Sequence, residues 1–255
     1  MDFDVIVHDD KSSRTLVAES VASPVKTDLL ARAEKALAKT TVSSTFVPVR
    51  GEGIYLTDAS GRRVIDFTSL VGVNNLGHGK NARAIRDAIR AHEDEAGLSH
   101  AMTHDWVNPW AVELAEKLAE ITPGTHAKKV FFACSGSEAN EAAVKLLLSA
   151  RPQKRVFVSF FDAFHGRGGY ALPLMGSRSV RTRGFPRAYE VVFLPFPRNP
   201  FRFGDDVFLW RTEEYATFIK KSLGRVREEI NGLFIELVQG EGGIRPADPE
   251  LLRVL

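Results

Sequence analysis

Three short stretches of this chain join permissive backbone to polar groups: Ser135-Gly-Ser-Glu138, Asp162-Ala-Phe-His-Gly-Arg-Gly-Gly169 and Gln239-Gly-Glu-Gly-Gly243. The first follows the apolar run Val130-Phe-Phe-Ala133, which reads as a strand buried on both faces. It precedes Ala139, Ala142, Ala143, Leu146, Leu147 and Ala150 at the spacing of one helix face. Ser135 with Glu138 fits a capping box, so a helix begins here. The first-turn N–H groups of such a helix have no partner within it, and behind small residues they point at open space, which suits a phosphate. An ordinary strand-to-helix connection has the same local pattern, so this stretch alone assigns no ligand.

Other reactive residue types have plainer readings. Glu236 lies within the apolar run Gly232–Val238 and needs a partner, because a buried carboxylate is costly alone. His100 and His104 have the spacing of two metal ligands on a helix, but their segment does not read as a helix and a third ligand is not evident; no metal is expected. Cys134 reads as a small residue at a strand end rather than a nucleophile. Gly51-Glu-Gly53 reads as a hairpin turn and lacks the third glycine of a dinucleotide fingerprint.

The elements that must position these turns follow from periodicity. Helices are expected over 25–37, 81–95, from Asn108-Pro109 to Thr122, after Ser135, over 213–230 and from Pro249. Ile54-Tyr-Leu56 and Val64-Ile-Asp-Phe67 form a hairpin about Asp58-Ala-Ser-Gly61, and Val71–Gly79 is a loop with unusual backbone angles. Further strands are expected at 155–161, 191–194 and 232–238. Apolar strands alternating with helices imply an α/β fold with a largely parallel sheet, whose ligands sit beyond the carboxyl ends of the strands. Three permissive turns end three of these strands.

Bulk properties narrow the class. With 255 residues, 44% of them hydrophobic, the chain can bury a sizeable core. Lys plus Arg number 34 against 32 Asp plus Glu, a balance that favours neither nucleic acid nor an acidic membrane surface as partner. One cysteine permits no internal disulfide and fits a reducing compartment. No run has the length of a membrane span and residues 1–23 lack a signal-peptide core, so a cytoplasmic protein is expected, with 1–23 an irregular tail.

Taken together, Ser135-Gly-Ser-Glu-Ala-Asn-Glu-Ala-Ala-Val-Lys145, Ala163-Phe-His-Gly-Arg167 and Glu236-Leu-Val-Gln-Gly-Glu-Gly-Gly-Ile-Arg-Pro246 resemble the class III, ornithine- and 4-aminobutyrate-type, pyridoxal phosphate aminotransferases. Asp66-Phe67 through Asn75-Leu-Gly-His78 and Val112–Leu118 fit as well, and the resemblance runs over about 40–255 in family order. It implies a fold type I, mostly parallel sheet with flanking helices, with 24–79 the start of a small domain and 80–255 an incomplete cofactor-binding large domain. It implies that Gly136 and Ser137 hold the cofactor phosphate, that Phe164 stacks on the pyridine ring, that His165 packs beside the ring edge and that Glu236 belongs to the polar network beneath it. Val71, Val73 and Glu241 are implied at the substrate mouth, Glu241 as the family's gating glutamate. A homodimer is the implied assembly.

Two departures from the family matter. The family continues into an Asp-Glu-Val-Gln strand and the lysine that forms the Schiff base, and neither is present here. The expectation is a front half, truncated before the C-terminal domain or completed by a separately encoded second half, with no catalytic residue of its own. Second, the family arginine that binds a substrate carboxylate is replaced by Leu148, with Arg151 nearly one turn on. The implied activity is transfer of an amino group from an amino acid or ω-amino compound to a 2-oxo acid. An amino-acid racemase on the same scaffold, or a non-catalytic partner subunit, are the alternatives.

Overall fold

The computed structural model describes residues 24–38, 44–97, 106–176 and 184–255. The tail 1–23 and the pair His100 and His104 lie outside the described residues. The chain falls into two compact units, Met1–Asn108 and Pro109–Leu255.

The first unit carries helix α1 (Pro24–Ala36) and an antiparallel sheet of β1 (Pro48–Glu52), β2 (Tyr55–Asp58) and β3 (Arg63–Ile65) in the order β1-β2-β3. The β2–β3 hairpin matches the sequence reading; β1 is an added strand, entering through the turn at Gly53, whose φ is +58°. Asp58 organises the second turn: its Oδ1 accepts from the Ser60 N–H, the Ser60 hydroxyl and the Arg62 N–H. A short helical turn, α2 (Ser69–Gly72), follows, and then helix α3 (Lys80–Ala96).

The α2 turn is left-handed. Ser69, Leu70, Val71 and Gly72 have φ of +44°, +51°, +62° and +80°, a conformation that costs a non-glycine residue about 1–2 kcal/mol. Asp66 offsets that cost. Its Oδ1 accepts from the Thr68 N–H and hydroxyl and from the Ser69 N–H, and its Oδ2 pairs with His78 Nε2 at 2.9 Å. Burial alone would raise the Asp66 carboxyl, but the bonds from the Thr68 hydroxyl, His78 and the two N–H groups outweigh it and bring it from 3.8 to about 2.

The second unit is the α/β layer. Its parallel sheet has the order β5-β4-β8, with β4 (Val156–Phe160) between β5 (Glu190–Leu194) and β8 (Ile230–Leu233). Every residue of β4 is buried, as befits a central parallel strand, and its one polar side chain, Ser159, donates to the Leu174 carbonyl at 2.6 Å. Helices α4 (Pro109–Ile121), α5 (Gly136–Ala150), α6 (Thr212–Leu223) and α7 (Pro249–Leu252) accompany it, with two small hairpins, β6–β7 (Phe201–Phe203, Asp206–Phe208) and β9–β10 (Val238–Gln239, Arg245–Pro246). Val158, Phe160, Leu194, Phe196, Tyr215 and Leu251 form the larger core cluster; each large apolar side chain fully buried there contributes roughly 1.5–3 kcal/mol. Val144 of α5 packs with Phe157 and Tyr189 in a second cluster.

Three expectations are corrected. Val130–Ala133 is not a buried strand: it pairs with no strand among the described residues, and Phe131 and Phe132 are 70% and 42% exposed. An apolar run becomes a strand only where a neighbour supplies ladder bonds, and the described sheet ends at β5 and β8. The helix expected over 213–230 stops at Leu223, where Gly224 follows, and the chain passes through a short 3-10 turn at Arg227–Glu229. The last strand ends at Leu233 rather than 238, and 238–246 folds back as the β9–β10 hairpin.

Candidate functional site

The three turns meet in the second unit. Helix α5 begins as its sequence requires: Ser135 is the N-cap in an extended conformation, and its Oγ accepts from the Glu138 N–H at 3.2 Å. The box closes one residue early, for Glu138 Oε2 accepts from the Cys134 N–H at 2.7 Å. The first-turn N–H groups of Gly136 and Ser137 have no acceptor among the described residues. In front of Gly136 there is room, with nothing within 4 Å of where a Cβ would stand. Open space before unpaired N–H groups at a helix N-terminus favours an anion.

The second turn leaves β4 through Asp162, whose φ is +63°. It binds both of its neighbours. Toward α5, the Gly168 N–H donates to the Ser137 Oγ at 3.3 Å. Gly166 lies so close to that helix that a Cβ would stand 2.5 Å from Ser137 Oγ, and its φ is +126°. Toward the third turn, the Phe164 N–H donates to Glu236 Oε1 at 2.9 Å, while Glu236 Oε2 accepts from the Gly240 N–H at 3.0 Å. Asp162 pairs with Arg245 at 2.6 Å, and the Gln239 amide donates to the Phe161 carbonyl at 2.9 Å.

Two side chains of this turn are of chemical interest. The Phe164 ring is half-buried, with the Arg167 guanidinium 5.8 Å from its centroid. His165 is 6% exposed, its ring edge-on to Phe234 at 5.9 Å, and its Nε2 is buried with no hydrogen-bond partner among the described residues. Burial pushes the His165 imidazole below its ordinary pKa, and the nearby Glu236 charge opposes that only in part. Burial thus disfavours the charged ring, and one of its nitrogens is unsatisfied.

The structure thus brings Gly136, Ser137, Phe164, His165 and Glu236 to one place. Glu241 stands exposed in the β9–β10 turn beside it in sequence. Val71 and Val73 belong to the first unit, where they are 91% and 73% exposed. The sequence reading passed over Asn140 and Glu141 of α5, which also bind the second turn. Their spacing of three and four from Ser137 was the available signal. No group of three or more His, Cys, Asp or Glu suited to a metal occurs among the described residues.

A family model described as aminotransferase class-III matches residues 36–255. The chain belongs to the class III aminotransferases. It is 32% identical over 210 residues to the acetylornithine aminotransferase of Lactococcus lactis, covering 82% of this chain and 48% of the relative. It is 36% identical over 200 residues to a probable 4-aminobutyrate aminotransferase of Bacillus subtilis, covering 76% of this chain and 44% of that one. Among solved structures, an (S)-enantioselective omega-transaminase from Thermomicrobium roseum superposes with a TM-score of 0.74 at 28% identity, over 89% of this chain and 53% of that one. The chain spans about half the length of the relatives it matches. The fold is that of the fold type I, pyridoxal phosphate-dependent transferases, in which the class III aminotransferases are built. No described helix is long and apolar enough to cross a membrane.

Proposed function

We propose that this chain forms one wall of the pyridoxal phosphate site of an aminotransferase, which moves an amino group from an amino acid or ω-amino compound to a 2-oxo acid. One observation carries the reading: the loop bearing Phe164 and His165 is bound by Ser137 from the phosphate-type turn and by Glu236 from the third turn. A single ligand with a phosphate and a ring would reach all of them. The residues fit that group, for the N–H groups of Gly136 and Ser137 are unpaired and the buried His165 Nε2 lacks a partner.

Gly136 and Ser137 would hold the phosphate, Phe164 would lie against the ring, and His165 would offer Nε2 at its edge. When bound, the cofactor supplies an electron-withdrawing ring that stabilises negative charge developing on the substrate. The chain's own contribution is binding and orientation. The N–H groups of α5 neutralise the anion without moving. Glu236 fixes the loop through Phe164, and burial disfavours the charged form of His165. Val71, Val73 and Glu241 are assigned to the substrate mouth, and the working unit is a cytoplasmic homodimer. No lysine of this chain is assigned as the covalent anchor of the cofactor.

Gly136→Pro tests the reading. Proline at the first helical position preserves the helix and deletes one N–H donor, and the extended Ser135 accepts a following proline. Binding of inorganic phosphate is expected to weaken about tenfold, the loss of one charge-assisted hydrogen bond. Pyridoxal phosphate is expected to compete with phosphate, and borohydride is expected to trap it on no single lysine of this chain in preference to the scattered surface ones. Equal phosphate affinity in both proteins would overturn the phosphate assignment.

A further inference from the structure

Helix α5 does more than present its first turn. Ser137, Asn140 and Glu141 lie at i, i+3 and i+4, one stripe of its surface, and all three bind the loop after β4. Asn140 Nδ2 donates to the His165 carbonyl at 2.7 Å. Glu141 Oε1 accepts from the Tyr170 and Ala171 N–H groups, each at 2.8 Å. The approach is close enough that a Cβ on Gly168 would stand 2.5 Å from Glu141 Oε1. A second element closes the same segment: the Tyr189 hydroxyl donates to the Tyr170 carbonyl. Burial first, and the Glu141 charge second, hold that phenol well above its ordinary pKa, so it remains a donor.

These bonds fall at the Phe164–His165 pair and on its C-terminal side. Asn140 takes the backbone at His165 itself, and Glu141 takes it five and six residues on, beyond Gly166 and Gly168. Between those points the chain has three glycines, Gly166, Gly168 and Gly169, and so little stiffness of its own. Glu236 ties Phe164 to the third turn; the helix stripe is what ties the same loop to α5 itself.

We propose that Asn140 and Glu141 are positioning residues of the cofactor pocket, fixing Phe164 and His165 at one spacing from the Gly136–Ser137 turn. This rests on the cofactor reading above. It separates two kinds of ligand. Phosphate alone needs only α5. A phosphate joined to a ring needs α5 and the loop together, and feels any change in their spacing.

The test uses the purified chain with 4'-deoxypyridoxine 5'-phosphate, a ring phosphate with no aldehyde to react with surface lysines, and inorganic phosphate beside it. Glu141→Ala is expected to weaken the ring phosphate about tenfold or more and to leave inorganic phosphate within about twofold. Glu141→Gln keeps a carbonyl oxygen for both N–H groups and is expected to restore binding. Hydrogen exchange at Tyr170 and Ala171 is expected to quicken in the alanine variant and not in the glutamine variant. Asn140→Ala, which removes one hydrogen bond, carries the same comparison should Glu141→Ala fail to fold. Ring-phosphate affinity unchanged in a variant whose amides exchange faster would overturn the positioning role. A wild-type chain that binds phosphate but not the ring compound would overturn the cofactor reading itself, and the pocket role with it.

Discussion

Glu236 holds the Phe164 N–H at 2.9 Å with one carboxylate oxygen and the Gly240 N–H at 3.0 Å with the other. A single side chain in the strand-end region therefore sets two turns that are 76 residues apart in sequence, Phe164 and Gly240. Glu236→Gln retains an acceptor for one N–H only, while Glu236→Ala removes both, leaving the part-buried Phe164 N–H without its acceptor and the exposed Gly240 N–H to water. Hydrogen bonds to a charged group are worth about 1.5–3 kcal/mol. Urea denaturation is expected to show a loss of about 1–3 kcal/mol for glutamine and a larger one for alanine. Equal losses would mean that the second oxygen contributes nothing.

Gly166 admits no side chain. A Cβ would meet Ser137 Oγ at 2.5 Å and the Ser137 Cα at 2.9 Å, and its φ of +126° disfavours any L residue. Gly166→Ala should cost about 2 kcal/mol or more, from strain and lost contact. Ser137→Gly in the same chain relieves the contact with Oγ but not with the backbone, so only partial recovery of thermal stability is expected.

His165 makes the second unit acid-sensitive. Its folded pKa lies below the ordinary 6.5, so the unfolded chain takes up the proton first as pH falls. Stability is then full above 6.5 and declines as pH falls from there toward the folded pKa. His165→Asn should flatten the denaturation midpoint between pH 7.5 and about 5. A midpoint that moves with pH as much in the variant as in the wild type would assign the effect to another group.

Asp66 acts lower on the scale. Its carboxyl is brought from 3.8 to about 2, so its contribution is present above 3.8 and is lost as pH falls through about 2. The shift corresponds to about 2 kcal/mol. Amide protection of Thr68 and Ser69 should fall over that range in the wild type, and be low at every pH in Asp66→Ala.

What could be read from the sequence was local. The run Val156–Phe160, the periodicity of 136–150 and the Ser135 N-cap each predict the element found there, because each is dictated by neighbours in the chain. Partnership across the fold was not legible. Val130–Ala133 has the composition of a buried strand, yet whether a strand forms depends on a ladder elsewhere. The glycines of 162–169 announced a turn. That Asn140 and Glu141 hold it showed only as a spacing from Ser137, because a polar side chain in an amphipathic helix reads the same whether it faces solvent or a second segment; that Glu236 needed a partner was legible, but not which one. The β6–β7 hairpin was missed for a related reason: Phe201–Phe203 and Asp206–Phe208 are too short for an alternating pattern to show.

The left-handed turn at Ser69–Gly72 sets economy against display. Glycine at Leu70 and Val71 would take those angles at little steric cost, and the turn would close with less help from Asp66. The residues present instead hold Leu70 and Val71 outward, 64% and 91% exposed, on a backbone they disfavour. A glycine-substituted chain should accordingly keep the turn while erasing the surface it offers, and a gain in melting temperature there would measure what the apolar tip costs the fold.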